Sequence, residues 1–221
     1  MDGTLQERAK ATRRSLLEAA ACLFAEQGYA ATSVNDVSAR SGRTSGSVYF
    51  HYASKEGLAL AVVRDRFATW SGLAARYANP AVPPLERLVV LSYEIGRALA
   101  EDTLTRAGAR LWAERDTIDA PLPDPFAVWT TATTRLLAQA RTAGQLTHRV
   151  RPAPTARTLV RAFFGVCTLT EALEGPQSIT HRLTDWWHLT LPSLQQDADP
   201  ARTVRRAWDE VMSERAPEAT A

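Results

Sequence analysis

The sequence predicts an all-α fold, with a three-helix head followed by a larger helical body. Apolar residues recur at spacings of three and four along most of the chain, which is the pattern of the buried face of a helix. Glycines and prolines fall mainly between these stretches. Strands would need alternating polar and apolar residues between turn signals, and that pattern is missing. We place the head at residues 1–55 and the body at residues 56–221.

The three helices of the head are predicted over residues 7–27, 34–40 and 44–50. Gly28 follows the first helix where a C-cap glycine is expected. Thr32 or Ser33 can cap the second helix with a side-chain oxygen. Gly42 occupies the turn before the third helix, where a positive φ favours glycine.

The rest of the chain is predicted to form seven more helices. Ser54 is placed to cap the first of them, and proline-rich breaks separate several of the others. The predicted ranges are 54–77, 84–101, 103–116, 126–144, 154–174, 180–195 and 200–214.

The second and third helices have the layout of a helix-turn-helix, in which the second helix of the motif enters the major groove of DNA. Such a helix needs an exposed face of small polar residues, and four candidates follow Gly42: Arg43, Thr44, Ser45 and Ser47. Gly46 would let the backbone approach the duplex closely. Val48 is the residue best placed to face the core of the head.

A run of aromatic residues ends this motif and needs its own explanation. We expect Tyr49 to give its hydroxyl to a phosphate, and Phe50 and Tyr52 to anchor the third helix to its neighbours. His51 is either a phosphate contact or a surface or capping histidine. Lys55 lies in the first turn of the next helix, where its charge opposes the helix dipole, which favours an anionic partner such as phosphate.

The stretch GYAATSVNDVSARSGRTSGSVYFHYASKEGLALAVV strongly resembles the N-terminal head of TetR-family transcriptional repressors, over residues 10–63. Ser45 departs from the family, which usually has lysine, arginine or a similar polar residue there. Arg43 and Thr44 are then the stronger candidates for reading base edges. The predicted DNA-binding residues are Thr32, Ser33, Arg43, Thr44, Ser45, Gly46, Tyr49, His51 and Lys55. Because phosphate contacts release counterions, we expect binding to operator DNA to weaken as salt rises.

The body carries a narrower resemblance. The segments TLTRAGARLWAE, PLPDPFAVWTTATTRLLAQA and ARTLVRAFFGV are similar to the ligand domain of γ-butyrolactone-type autoregulator receptors. The resemblance implies that Trp129 lines a ligand cavity. It also implies release from DNA by a small lactone, furan or butenolide signal, in the control of secondary metabolism such as antibiotic production.

Composition agrees with a largely apolar cavity in the body, since all six tryptophans lie outside the head. Trp129 and Thr133 are one helical turn apart. The predicted ligand-binding residues are Tyr93, Leu111, Trp129, Thr133, Phe163 and Phe164, and the sequence leaves open which phenylalanine points inward. The family also implies a homodimer, with the helices at 154–174 and 180–195 forming a four-helix bundle between two copies.

The sequence also allows other functions: a metal-binding enzyme, a receptor with a different ligand, or a protein-interaction module. His181, Asp185 and His188 share a helix face at a spacing that suits metal ligands, but a polar surface stripe explains them better. No catalytic motif is present, so we expect no enzyme, cofactor or metal. A pseudo-receptor that responds to an antibiotic or a biosynthetic intermediate remains open, as does a protein-interaction module.

The expected location is the cytoplasm. No run of about 18 apolar residues predicts a membrane span. Cys22 and Cys167 lie far apart among apolar neighbours, as reduced buried thiols do.

Overall fold

The structure is a computed structural model that describes residues 2–76, 81–196 and 199–213, with side chains for 6–66, 81–124, 126–196 and 199–212. Within these ranges it contains ten α-helices: α1 Asp2–Ala31, α2 Val34–Ser41, α3 Ser45–Tyr52, α4 Lys55–Arg76, α5 Pro84–Glu101, α6 Thr103–Ala113, α7 Pro125–Thr142, α8 Pro152–Glu174, α9 Ile179–Leu194 and α10 Pro200–Ser213. Short 3₁₀ turns follow α6 and α8. The all-α prediction is confirmed. No helix in the described ranges is long and apolar enough to cross a membrane.

Glycines and capping residues set the helix boundaries in the first part of the chain. Gly28 breaks α1 with a φ of 84° and a ψ of 179°, so regular helix stops where the sequence predicted. Ser33 caps α2, and Gly42 ends it in the left-handed conformation with a φ of 64°. Ser54 accepts a hydrogen bond from the Gly57 amide at 3.1 Å, as expected of the cap of α4.

By contacts the chain divides into two compact units. Unit 1 is Met1–Trp70 with Asp102–Pro123, and unit 2 is Ser71–Glu101 with Asp124–Ala221. Contacts thus group the chain differently from the division predicted after residue 55, which stays a prediction. The cause is α6, which the sequence assigned to the body and which packs along α1.

The core of unit 1 joins α6 to the helices of the predicted head. Leu16 and Phe24 of α1, Val37 of α2 and Val48 of α3 are fully buried in one hydrophobic cluster, and Leu111 of α6 lies in the same cluster. Val48 faces inward as predicted. An apolar stripe on α6 therefore completes the core around which the first three helices fold.

Unit 2 is built from α5 and α7–α10. Gly96 allows α5 to approach α9 closely, because a β-carbon at this position would overlap the side chain of Leu183. The segment after α7 lies against the end of α9, where Leu146 and Gln195 form an isolated β-bridge. These contacts hold α9 beside α5 and α8, which positions the aromatic residues described below.

Candidate nucleic-acid interface and ligand site

The start of α3 is fixed by local hydrogen bonds. Thr44 is its N-cap, and the Thr44 hydroxyl accepts a hydrogen bond from the Ser47 amide at 3.2 Å. The Arg43 amide donates to the Ser38 carbonyl at 3.1 Å, which closes the turn between α2 and α3. The side chain of Arg43 is exposed, so its guanidinium is available to a base edge or a phosphate.

Ser45 connects the two helices of the motif. Its hydroxyl lies 3.0 Å from the Ser38 hydroxyl and donates to the Asn35 side-chain oxygen at 3.0 Å. A serine here thus stitches α3 to α2, which a long basic side chain could not do in the same way. Contact of Ser45 with DNA stays a prediction.

The exposed surface of α3 contains Gly46 and Tyr49, with His51 half-buried beside them. A β-carbon on Gly46 would approach only the Thr44 hydroxyl, at 3.7 Å, so nothing in the described chain requires glycine there. Tyr49 is 55% exposed, which leaves its hydroxyl accessible to a partner such as phosphate. These positions fit a surface that closely approaches a large ligand.

Phe50 is not the anchor that the sequence predicted. Its side chain is 82% exposed, whereas Tyr52 is buried and donates its hydroxyl to the Arg13 carbonyl at 2.7 Å. The reason is spacing. Val48 and Tyr52 are four residues apart and share the inward face of α3, so Phe50, midway between them, points to the opposite face.

Thr32 and Ser33 shape the loop before α2. Thr32 is buried and donates its hydroxyl to the Gly28 carbonyl at 2.8 Å. Ser33 forms a capping box with Asp36, since each residue accepts the backbone amide hydrogen of the other. The hydrogen bonds from Ser33 hold the pKa of Asp36 below its ordinary value. Ser33 is exposed and can meet a phosphate, while Thr32 has a mainly structural position.

Lys55 binds groups within unit 1. Its ammonium donates to the carbonyls of Tyr29 and Thr32, both at 3.0 Å, and lies 4.0 Å from the centroid of the Tyr29 ring. The structure therefore gives Lys55 a role in holding the loop between α1 and α2. The predicted phosphate contact remains untested.

The end of α6 clamps the end of α1, which sequence reasoning missed. Glu114 accepts the Tyr29 amide hydrogen at 2.6 Å and pairs with Arg110 at 3.0 Å. The same arginine donates to the carbonyls of Ala25 and Glu26, which α1 leaves unsatisfied where Gly28 interrupts it. No local sequence signal marks this clamp, because its partners are about 85 residues apart.

Glu56 completes the contacts around Tyr29. The Tyr29 hydroxyl donates to the Glu56 carboxylate at 2.7 Å, and this bond is the main reason that the pKa of Glu56 lies below its ordinary value. Burial, and then the bond to Glu56, raise the pKa of Tyr29 above its ordinary value. The loop that leads into the helix-turn-helix is thus fixed from α4 as well as from α6.

The candidate ligand site in unit 2 is an aromatic cluster on α7, α8 and α9. Trp129 stacks on Phe163 with ring centroids 6.4 Å apart, and meets Phe164 edge to face at 5.8 Å. Phe163 also meets Trp186 at 6.4 Å. Phe163 is buried and Phe164 is only partly buried, so Phe163 is the one that points inward.

Thr133 lies one turn after Trp129 on the inward face of α7. It is only 6% exposed, so its side chain lies in the interior of unit 2. The indole N–H of the buried Trp187 donates to the Ser92 hydroxyl at 2.7 Å. The Thr133 hydroxyl adds a polar group next to an otherwise aromatic surface, which suits a ligand with a small polar head.

The remaining two predicted ligand residues lie elsewhere. Tyr93 is fully buried, donates or accepts a 2.8 Å hydrogen bond with Thr184, and meets Trp208 edge to face at 5.3 Å. Leu111 belongs to the core of unit 1 and not to the aromatic cluster, because α6 packs on α1. The side chain of Trp70, one of the six tryptophans, lies outside the described residues.

On α9, His181 and Asp185, which the sequence suggested as possible metal ligands, take part in ion pairs at the surface. Asp185 lies 2.9 Å from the Arg182 guanidinium and 3.9 Å from the His181 imidazole. Arg182 also pairs with Glu174 at 3.0 Å. Across the described residues, no group of three or more histidine, cysteine, aspartate or glutamate side chains is arranged to hold a metal ion.

Family profiles match both parts of the chain. The profile described as bacterial regulatory proteins of the tetR family matches residues 16–62, and that of the tetracyclin repressor-like C-terminal domain matches residues 82–195. The chain belongs to the TetR family. Its members are DNA-binding regulators, so the prediction of a regulator and not an enzyme is confirmed.

Comparisons with individual proteins show which group of TetR-family members this chain resembles. The A-factor receptor protein of Streptomyces griseus is 30% identical over 189 residues, which span 86% of this chain and 66% of that receptor. A solved γ-butyrolactone receptor, described as ArpA-like, has a TM-score of 0.80 and 30% identity, covering 93% of this chain and 99% of that one. The predicted resemblance to such receptors is confirmed.

Two further solved structures bear on function. One comes from work on how bacterial hormones control antibiotic production; its TM-score is 0.77 at 40% identity, with 84% of this chain and 98% of that one covered. The other is CprB of Streptomyces coelicolor in complex with its biological operator sequence, with a TM-score of 0.78, 29% identity, and coverage of 93% and 99%.

Proposed function

We propose that this protein is a homodimeric repressor that binds operator DNA through α3 and leaves it when a small signalling molecule binds to unit 2. The ligand is of the γ-butyrolactone, furan or butenolide type, and the regulated genes belong to secondary metabolism such as antibiotic production. The observation that carries the proposal is the aromatic cluster of Trp129, Phe163 and Phe164, with the buried Thr133 one helical turn after Trp129.

The DNA side of the proposal rests on the exposed groups of α3. Arg43 offers a charged fork, and Gly46 leaves room for the duplex. The Tyr49 hydroxyl is accessible for a phosphate. CprB, a relative solved in complex with its biological operator sequence, supports operator DNA as the partner. A protein that binds operator DNA works in the cytoplasm, which is the location we propose.

The ligand side rests on chemistry. Trp129, Phe163 and Phe164 offer apolar walls that suit an alkyl tail, and the Thr133 hydroxyl can bond a small polar head such as a lactone. Relatives named as receptors for A-factor and for γ-butyrolactone support this class of ligand. An aromatic site with one hydroxyl would select small molecules that combine an alkyl tail with a polar head.

The dimer rests on exposed leucines. Leu169 and Leu173 lie four residues apart on α8 and are 62% and 80% exposed, and Leu189 on the adjacent α9 is exposed as well. Apolar side chains clustered on two packed helices favour burial against a second copy. One short α3 contacts few base pairs, so two copies related by a two-fold axis are needed for specific binding.

Release requires a difference in affinity. The ligand must bind the form of the dimer that does not fit the operator more tightly than the form that does, because equal binding shifts nothing. By linkage, operator DNA must then weaken ligand binding by the same factor. Both affinities can be measured on the full-length protein.

The test replaces Trp129 by alanine. We expect Trp129→Ala to bind the promoter of its own gene as the unchanged protein does, but to stay bound when γ-butyrolactones are added, because the main wall of the site is gone. Gel-shift titrations measure both steps. Val128→Ala, an exposed neighbour on the same helix, is the control and should be released normally. Normal release of Trp129→Ala would refute the ligand site.

A further inference from the structure

The exposed Phe50 ring has no role in the fold that the structure describes. The inward face of α3 is occupied by Val48 and Tyr52, and Phe50 points away from it. Its one ring contact in the described chain is with the neighbouring His51, edge to face at 5.0 Å. A large apolar side chain held at the surface of a recognition helix is a candidate for contact with the partner of that helix.

The surroundings of Phe50 favour entry into a groove. Gly46 lies four residues before it and Ser47 three residues before it, so all three share one face of α3. Gly46 and Ser47 are small, and a β-carbon on Gly46 would meet only the Thr44 hydroxyl, at an ordinary contact distance of 3.7 Å. This face of α3 therefore carries small residues in its first turn and the exposed Phe50 ring in its second, next to the exposed Tyr49.

The chemistry of the ring restricts what it can read. A phenyl group neither donates nor accepts a conventional hydrogen bond, so it cannot recognise the polar edges of bases or a phosphate oxygen. The major groove offers one apolar group on the bases, the C5-methyl of thymine. Arg43 and Thr44, at the start of the same helix, supply polar groups for the neighbouring base pairs.

We propose that Phe50 determines operator specificity by packing against the C5-methyl of a thymine in each half-site. The proposal rests on the proposed function, because it needs α3 in the major groove. Instead of anchoring α3 to the core of unit 1, the Phe50 ring packs against DNA. His51 supports the ring from the side.

The experiment removes the methyl and the ring separately. Each thymine of the operator is replaced in turn by 2′-deoxyuridine, which lacks only that methyl, and affinity is measured for the unchanged protein and for Phe50→Ala. For the unchanged protein, we expect one position per half-site at which the replacement weakens binding about fourfold, and about sixteenfold when both half-sites are changed. Phe50→Ala should bind both versions of the operator equally.

The outcomes separate the proposal from its alternatives. If no deoxyuridine position affects the unchanged protein, or if Phe50→Ala keeps the same sensitivity, the proposal is wrong. A uniform loss for Phe50→Ala on every operator, without methyl dependence, would also overturn it, in favour of packing on the sugar-phosphate backbone. If the unchanged protein binds no promoter DNA at all, the proposed function fails instead. Unfolding in urea should be the same for both proteins, since Phe50 is exposed.

Discussion

Gly57 and Gly46 are two glycines of unit 1 with opposite structural demands. A β-carbon on Gly57 would overlap the backbone carbonyl oxygen of Tyr52, an atom that can move only if the junction of α3 and α4 moves. A β-carbon on Gly46 meets only the Thr44 hydroxyl, at an ordinary contact distance. The first glycine is therefore needed for folding, and the second is available for binding.

This contrast predicts different effects of the same substitution. We expect Gly57→Ala to lower the free energy of unfolding by about 2 kcal/mol, because overlap with the backbone outweighs the better helix propensity of alanine. Gly46→Ala should unfold at the same or a higher urea concentration, yet bind operator more weakly. Urea titration and gel shifts measure the two properties. Equal stability of Gly57→Ala and the unchanged protein would contradict the packing argument.

At this scale the sequence predicted what depends on local spacing. Gly42, Ser33 and Ser54 have the turn and cap roles that their positions indicated. The prediction that Phe50 anchors α3 was wrong. An aromatic residue in a short helix suggests an anchor, but Phe50 lies midway between Val48 and Tyr52, and this position indicates the outward face. The internal contacts of Lys55 could not be read from the sequence, since they depend on the path of the loop between α1 and α2.

Among the helices, α6 is the one whose packing partner was hardest to predict from the sequence. Glycine and proline signals located the helix boundaries to within a few residues over most of the chain, and α5 begins and ends where predicted. The same signals do not show which helices pack against each other. Amphipathic spacing shows that α6 has a buried face, but not that Ala107 and Leu111 fill the core around α1. Leu111 therefore has a place in the core of unit 1 that its spacing did not reveal, and its predicted ligand contact stays a prediction.

The clamp at the end of α6 can be tested with a matched pair of variants. Glu114→Ala removes the acceptor of the Tyr29 amide and the partner of Arg110, and we expect it to lower the free energy of unfolding by about 2 kcal/mol. Asp116→Ala, on an exposed acidic residue of the following turn, should change it by less than about 0.5 kcal/mol. Chemical denaturation monitored by circular dichroism makes the comparison. Similar values for both variants would show that the clamp contributes nothing.

For the molecule as a whole, the proposed function depends on a second copy, and the exposed leucines of α8 allow this proposal to be tested. Leu169→Glu combined with Leu173→Glu places charges where the dimer proposal needs burial. We expect this variant to sediment as a monomer and to lose specific operator binding. Val128→Glu, which charges an exposed apolar position on α7, should remain dimeric. A dimeric double variant would exclude this surface as the interface.

For the whole molecule, the sequence predicted the family and the type of receptor, but it did not predict the directions of individual side chains. A long, specific motif in the head identified the family, and the body segments identified the type of receptor. Those patterns reflect ancestry and not packing. They could not reveal that Phe163 is buried while Phe164 is only partly so, since adjacent residues on a helix differ only in direction.

Every polar group of Tyr29 forms a hydrogen bond with another part of unit 1. Its amide, carbonyl and phenol bond to Glu114, Lys55 and Glu56, from two different helices. Protons near a helix end ordinarily exchange with solvent quickly, because the last turn frays. The Tyr29 amide proton should instead be among the slowly exchanging ones in deuterium oxide, and its lifetime would measure how firmly α6 grips the end of α1.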